Sequence, residues 1–191
     1  IFSFVKPKKK VEWRSMGLFI GFIVALFTEM YGVPLTIYFL TGLLGSRYPV
    51  LDPFSHSSGH LILVFLGLSK SMLAMTVLHL ITNGIIFYGF YIIYEGWKLI
   101  YSAKESELVT TGIYAKVRHP QYIGMWLITV GFLIQWPTII TLGMWPILMI
   151  VYYRLSIREE KELAEKFGKR FYEYKKQVPT FFPRWGKKEN S

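Results

Sequence analysis

Apolar residues gather in five stretches, and their lengths predict an all-α membrane protein. Residues 16–44 form the first, interrupted by Glu29 and Pro34. It is long enough to cross a bilayer, whose core takes about 20 helical residues. Residues 61–68 are too few to cross alone, which predicts a re-entrant, interfacial or capping helix. Residues 71–101 form a long run that contains His79, Asn83 and Glu95. Residues 122–136 and 139–153 are two short runs that meet at Gln135-Trp136-Pro137-Thr138. Two apolar arms with so tight a join predict an antiparallel helical hairpin, tilted or seated in thinned lipid. Beyond it, Leu155, Leu163 and Phe167 repeat on one helical face, and Gly168 marks a stop or bend. Phe171 and Tyr174 resume the stripe up to Val178-Pro179, and Phe181, Phe182 and Trp185 form an aromatic end beside Arg184, Lys187 and Lys188. That pattern predicts an amphipathic tail helix on the membrane surface.

Charge orients these elements. The stretch up to Arg14 holds five Lys or Arg, the connection from Lys98 to Arg118 holds four, and the tail from Arg154 holds eleven, whereas Arg47 stands in the loop after the first run. Basic flanks stay cytoplasmic, so both termini and the central connection are expected on that side. The expected fold is therefore a polytopic helical bundle of four to five transmembrane segments with a C-terminal hairpin and a cytoplasmic tail helix. Four crossings follow if 61–68 does not cross, and five if it does. Hydrophobic residues make up 52% of the 191 residues and charged ones only 18%, too apolar for one soluble domain. The net charge of +10 lies beside apolar stretches, so it reads as juxtamembrane rather than as a nucleic-acid surface. The absence of cysteine excludes disulfides, thiolate metal sites and Cys nucleophiles. The basic residues 6–10 ahead of an apolar run mimic a signal peptide, but 16–44 is too long for a signal core and lacks a small-residue cleavage site. No repeat or second domain is visible, and residues 1–191 read as one domain.

The candidate chemistry lies at the two ends of the hairpin. Residues 112–124 read GIYAKVRHPQYIG, and residues 158–179 read REEKELAEKFGKRFYEYKKQVP. An Arg118-His119-Pro120 turn thus stands at the hairpin's mouth, and Glu159 and Glu160 stand at its exit. Ionisable groups at a membrane edge are costly and are functional candidates by default. Pro120 suits the first turn of a helix, since its missing N–H would be unpaired there anyway. The helix beginning near His119 then points free backbone N–H groups outward, as an anion site does. Plainer roles exist for each residue. Arg118 and Arg158 could snorkel to lipid headgroups, and His119 could cap a loop. Glu159 and Glu160 could join helix-surface pairs, although the i+4 neighbour of Glu159 is Leu163. Glu29, His79, Asn83 and Glu95 read as hydrogen-bonding glue between helices. His56 and His60 share i,i+4 spacing without a third ligand, so no metal site is expected.

The block LVTTGIYAKVRHPQYIG, the Glu159-Glu160 pair and the run FGKRFYEYKKQVP together resemble the isoprenylcysteine carboxyl methyltransferase family. They also resemble the wider group of integral-membrane methyltransferases that includes phospholipid methyltransferases. The likeness covers about residues 98–183. It implies S-adenosyl-L-methionine as cofactor and the carboxyl group of a prenylated cysteine as methyl acceptor. The partner would be that lipidated cysteine, or another amphiphile, drawn from membrane lipid to an active site facing the cytoplasm. Residues 1–97 would be N-terminal membrane helices and 98–191 the cofactor-binding catalytic half. The resemblance carries the cofactor-contacting acid onto Glu159. It carries the remaining cofactor-contacting stretches onto Ser106, Glu107, Leu108 and Val109, onto Tyr114, and onto His119, Pro120, Gln121 and Tyr122.

The residues themselves are compatible with such chemistry. No strand-glycine-helix fingerprint is present, so a cofactor would lie among helices. Tyr114, Tyr122 and Trp126 offer aromatic surface for an adenine or a sulfonium. An acceptor carboxylate is ionised at neutral pH and needs alignment rather than a base. Arg154, at the hairpin exit, is the favoured residue to align it by a bidentate contact, with Arg158 four residues on. An amine acceptor would need a base, for which His119 or Glu160 could serve. Catalytic candidates are therefore Arg154, Arg158 and Glu160. Phe27, Tyr31, Phe87 and Phe90 could line a lateral lipid path, though packing explains them equally well. Three other readings stay open: methylation of a phospholipid or other amphiphile, a membrane reductase of similar C-terminal arrangement that binds a nicotinamide, and a lipid-binding scaffold.

Overall fold

The computed structural model describes residues 10–103 and 107–183, with side chains from residue 17 onward. Ser106 and the tail residues Arg184, Trp185, Lys187 and Lys188 lie outside the described residues. The helices are α1 (Lys10–Tyr31), α2 (Leu35–Leu44), α3 (Leu61–Phe65), α4 (Met72–Ser102), α5 (Pro120–Gln135), α6 (Ile139–Phe167) and α7 (Lys169–Gln177). Short 3-10 turns occupy His56–Gly59 and Gly112–Ala115, and no strand occurs among the described residues.

Local chemistry explains the ends of these helices. Pro34 breaks the first apolar run into α1 and α2, which meet at a bend of 60°. Glu29, 2% exposed, spans that break by accepting from the Thr36 backbone N–H at 2.8 Å and from its hydroxyl at 2.9 Å. It therefore satisfies a donor at the start of α2 that would otherwise be unpaired. Ser71 caps α4 through the Ala74 N–H, and Pro120 opens α5 in the expected place. Thr138 and Thr141 form a reciprocal cap at the start of α6. No break follows at Tyr153. The second arm of the expected hairpin and the first half of the tail are one helix, ending only where Gly168 adopts φ 52°.

α4 and α5 touch backbone to backbone. A Cβ at Gly89 would lie 2.6 Å from the Gly124 carbonyl oxygen, and a Cβ at Gly124 would lie 2.6 Å from that of Gly89. Small residues permit such close approach between membrane helices. The main core then joins Phe22 of α1, Ile93 of α4, Tyr122 and Ile128 of α5, and Leu148 and Tyr152 of α6. Phe181, from beyond α7, completes this cluster.

Among the described residues α4 and α6 are each long and apolar enough to cross a membrane, and the bent α1–α2 pair brings the number to three if it acts as one span. This is fewer than the four to five expected. α3 has five residues, and the 16 residues of α5 reach about 24 Å against a hydrocarbon core of about 30 Å.

The Gly89–Gly124 contact yields a prediction of opposite signs. Gly124→Val should lower the melting temperature in detergent, at a cost of about 1–3 kcal/mol for overpacking. Gly84, whose added Cβ would meet nothing within 4 Å, should accept Ala without loss. Equal effects of the two changes would show that the helices do not depend on this contact.

Candidate functional site

The turn before α5 is sewn to the chain that follows α7. The Arg118 N–H donates to the Pro179 carbonyl at 2.9 Å, and the His119 N–H donates to that of Thr180 at 3.2 Å. The Arg118 guanidinium reaches further. It donates to Glu160 Oε1 from Nε at 2.9 Å, to the Thr180 hydroxyl at 2.7 Å, and to the carbonyls of Lys175 and Val178. Lys175 Nζ stands 2.7 Å from the other oxygen of Glu160. Both partners of the Arg118–Glu160 pair are nearly buried, with side chains 7% and 9% exposed. Arg118 is thus a structural clamp and not a headgroup snorkel.

His119 sits between the two acids of α6. Its Nδ1 is 3.5 Å from Glu159 Oε2, and its Nε2 is 3.3 Å from Glu160 Oε1. An imidazole donates from both nitrogens only when protonated. Burial disfavours that charge, but hydrogen bonds to Glu159 and Glu160 outweigh it and hold the His119 pKa above its ordinary value. Tyr122 donates to the remaining oxygen of Glu159 at 2.7 Å. Tyr114 accepts from the Gln121 amide, and its own backbone carbonyl accepts from the Tyr174 hydroxyl at 2.7 Å. Burial pushes the Tyr114 phenol well above its usual range, so it keeps its proton.

Two small cavities flank this cluster. One, of about 30 Å³, is bordered by Trp97, Tyr114, His119, Gln121, Tyr122 and Glu159. The other, of about 20 Å³, is bordered by Leu108, Val109, Tyr114, His119, Glu160 and Tyr174. Tyr114, Arg118, His119 and Leu163 border both. Each volume is about that of one water molecule, so a larger ligand requires these walls to part. Every cofactor-binding candidate within the described residues, except Pro120 and Glu107, borders one of these two spaces. Pro120 is the buried first residue of α5, which orients the others.

A third space is larger and different in character. A groove of about 1120 Å³ runs along α5 and α6, lined by apolar and aromatic side chains such as Ile92, Leu127, Trp145 and Met149. Among the described residues, Lys116 and Arg154 are the charged side chains on its wall. Trp126, Phe181 and Phe182 line it as well. Phe181 lines the groove and also touches His119, which borders the smaller cavities. Its ring centroid is 4.6 Å from that of Trp126, 6.4 Å from that of Tyr153 and 5.8 Å from that of His119.

The catalytic candidates are therefore dispersed. Arg154 reaches the groove. Arg158 does not: it is exposed and faces Glu162 at 3.7 Å on the outer face of α6. Glu160 is engaged on both oxygens by Arg118, His119 and Lys175, which leaves it no role as a free base. Phe27, Tyr31, Phe87 and Phe90 are exposed but line no part of the groove. Trp97, Lys116, Leu163, Lys175 and Phe181 are additions that sequence reasoning missed. Three of them carry no pattern of their own, but the aromatic end at Phe181 and Phe182 was a usable signal. At the other end of the bundle His60 Nδ1 lies 2.7 Å from the Gln135 carbonyl oxygen, and the described residues contain no group of three or more His, Asp or Glu arranged to hold a metal.

The protonated state of His119 gives a pH prediction. A group whose pKa rises on folding stabilises the fold fully below its unfolded value of 6.5, and the contribution fades as pH climbs through the raised folded value. As pH rises above 6.5 the melting temperature should fall more steeply in the wild type than in His119→Gln. Parallel pH profiles would rule out a charged His119.

Comparison with known proteins bears on this arrangement. The profile described as phospholipid methyltransferase matches residues 61–170. A nickel-cobalt-cadmium resistance protein, NccN, of Alcaligenes xylosoxydans xylosoxydans is 32% identical over 90 residues, 46% of this chain and 42% of that protein. The protein-S-isoprenylcysteine O-methyltransferase of Schizosaccharomyces pombe is 32% identical over 81 residues, 42% of this chain and 34% of the relative. The human protein of the same name is 35% identical over 77 residues, 40% of this chain and 27% of the relative. The matched stretch thus spans less than half the length of each of these relatives. The profile covers more than half of the chain, including α4, α5, the Arg118-His119-Pro120 turn and the Glu159-Glu160 pair, and the chain belongs to the phospholipid methyltransferase family.

Proposed function

We propose that this integral membrane protein is a methyltransferase that uses S-adenosylmethionine to esterify the carboxylate of a lipid-modified cysteine. The observation that carries this reading is the makeup of the large groove. Its wall is apolar, and among the described residues its charged side chains, Lys116 and Arg154, are both cations. Such a groove suits an amphiphile with an anionic head, and it repels an ammonium head. The names of the relatives in fission yeast and human support a prenylated cysteine as that amphiphile.

The residues beside the small cavities suit the cofactor in chemical kind. Glu159 would hold its ammonium group or ribose hydroxyls, and Trp97, Tyr114 and Tyr122 offer aromatic faces for the adenine and the cationic sulfur. Leu108 and Val109, on the far side of Tyr114, would pack against its apolar edges. Gln121 would donate from its amide. When bound, S-adenosylmethionine supplies an electrophilic methyl group. The chain has no proton to remove from a carboxylate, which is ionised at neutral pH. Both nitrogens of His119 face carboxylates and Glu160 is fully paired, so neither is free to act as the base that an amine acceptor would need. What the chain contributes is alignment, with Arg154 holding the carboxylate at the groove. Arg158 has no part in this reading, and Glu160 acts by positioning Arg118 and His119.

We further propose four crossings, made by the α1–α2 pair, α4, and a hairpin of α5 and α6. The basic turn before α5 and the basic tail would then face the cytoplasm together. Tyr122 packs on Tyr152, and Thr129 accepts from the Trp145 indole, as antiparallel arms would require.

The test is transfer of labelled methyl groups to S-farnesyl-N-acetylcysteine. A base-labile product is expected, and a base-stable one would move the acceptor to an amine. Glu159→Ala should weaken S-adenosylhomocysteine binding at least about tenfold in a protein that still purifies as one species. Arg154→Ala should leave that affinity unchanged and raise the acceptor KM about tenfold. Reversal of these two effects would exchange the roles.

A further inference from the structure

Among the described residues two buried side-chain atoms have no hydrogen-bond partner, the indole nitrogen of Trp126 and the hydroxyl of Tyr152. Orphaned buried polar groups are rare, and each calls for an explanation. Tyr152 lies wholly inside the main core. Trp126 differs, because its ring lines the large groove while its nitrogen is covered. An indole nitrogen only donates, so its missing partner is an acceptor. Trp126 also follows Tyr122, whose phenol holds Glu159, by one helical turn on the same face of α5. The ring of Phe181 packs against both Trp126 and His119. The chain carrying that ring is anchored as far as Thr180 by Arg118 and the His119 N–H. Phe181 is the first residue past these anchors.

We infer that Trp126 reads the head of the acceptor, donating its indole N–H to a carboxylate oxygen, and that the Phe181 ring is a movable wall that covers this donor until the acceptor enters. This rests on the reading of the groove as an acceptor site. Arg154 alone would attract any anion to the groove. An oriented N–H one turn from Tyr122 adds direction, since it fixes how the head is turned. The Phe181 ring packs against the indole and against His119, so its movement would uncover the N–H and open the way toward His119 while the Arg118 clamp on Thr180 stays in place.

The experiment uses the full chain in lipid nanodiscs and two probes, S-farnesyl-N-acetylcysteine and its carboxamide. Trp126→Phe keeps an aromatic ring and removes the donor. It should weaken binding of the carboxylate probe about tenfold and that of the carboxamide much less, because hydrogen bonds to charged acceptors are the stronger ones. S-adenosylhomocysteine affinity should stay within about twofold, as expected for a residue that lines the groove and neither small cavity. An equal loss for both probes, or no loss, overturns the role of Trp126. Phe181→Ala should speed association of the carboxylate probe several-fold, and Phe181→Leu should do so less. Phe54→Ala, at a residue 88% exposed that lines neither the groove nor the small cavities, should not change the rate. An unchanged rate in both Phe181 variants overturns the wall. Failure of the wild type to bind either farnesyl probe would instead remove the acceptor reading itself, and this inference with it.

Discussion

One buried carboxylate organises the end of the molecule where the candidate site lies. Glu160 is 7% exposed and meets Arg118, His119 and Lys175 at once. An isolated charge in that position would be strongly unfavourable, and removal of one partner from a buried pair typically costs about 3–5 kcal/mol. The three cations come from the turn before α5 and from α7, whereas Glu160 belongs to α6. Their meeting therefore sets where α7 lies, and α7 sets where the chain from Val178 to Phe181 crosses the turn. The same contact holds the His119 ring within reach of Glu159. A cluster that ties three segments together in this way is needed here because the helices it joins extend beyond the shared apolar core.

What could be read beforehand follows the range of the interaction. Pro120 at the start of α5, the break at Pro34 and the stop at Gly168 all act on their own backbone, and each appeared where a local rule put it. The apolar stripe of the tail was legible for the same reason: Leu163, Phe167, Phe171 and Tyr174 do pack as one cluster. The grouping of Tyr114, His119, Tyr122 and Glu159 came from resemblance, and the fold brings these side chains to one place. The clamp could not be read. Arg118 and Glu160 are 42 residues apart, and the Arg118 contact with Thr180 spans 62. A pairing at such separation leaves no periodic trace in one sequence. The arginine therefore looked like a lipid-facing side chain, and its neighbour acid looked like a free base. Trp97 was missed on other grounds, since it lies at the end of a helix that read only as a membrane span.

The unbroken course of α6 matters more to the site than the hairpin it was expected to close. A helix turns about 100° per residue, so the adjacent acids Glu159 and Glu160 face different sides. One borders the cavity with Trp97 and Tyr122, and the other borders the cavity with Leu108 and Tyr174. Arg154 on the same helix reaches the large groove, about 7.5 Å along the axis from Glu159. The spacing between a group that suits a cofactor and a group that suits an acceptor is therefore set by a rigid element, which holds geometry better than a loop does. Flexibility is then needed only where the two spaces must communicate. Phe181 meets both spaces, since it lines the groove and its ring packs against Trp126 and His119 just past the anchors at Thr180. Rigid placement by α6 and a ring at Phe181 that can turn would be complementary answers to the demand the proposed reaction makes: two unlike ligands held at a fixed distance, each entering from its own side.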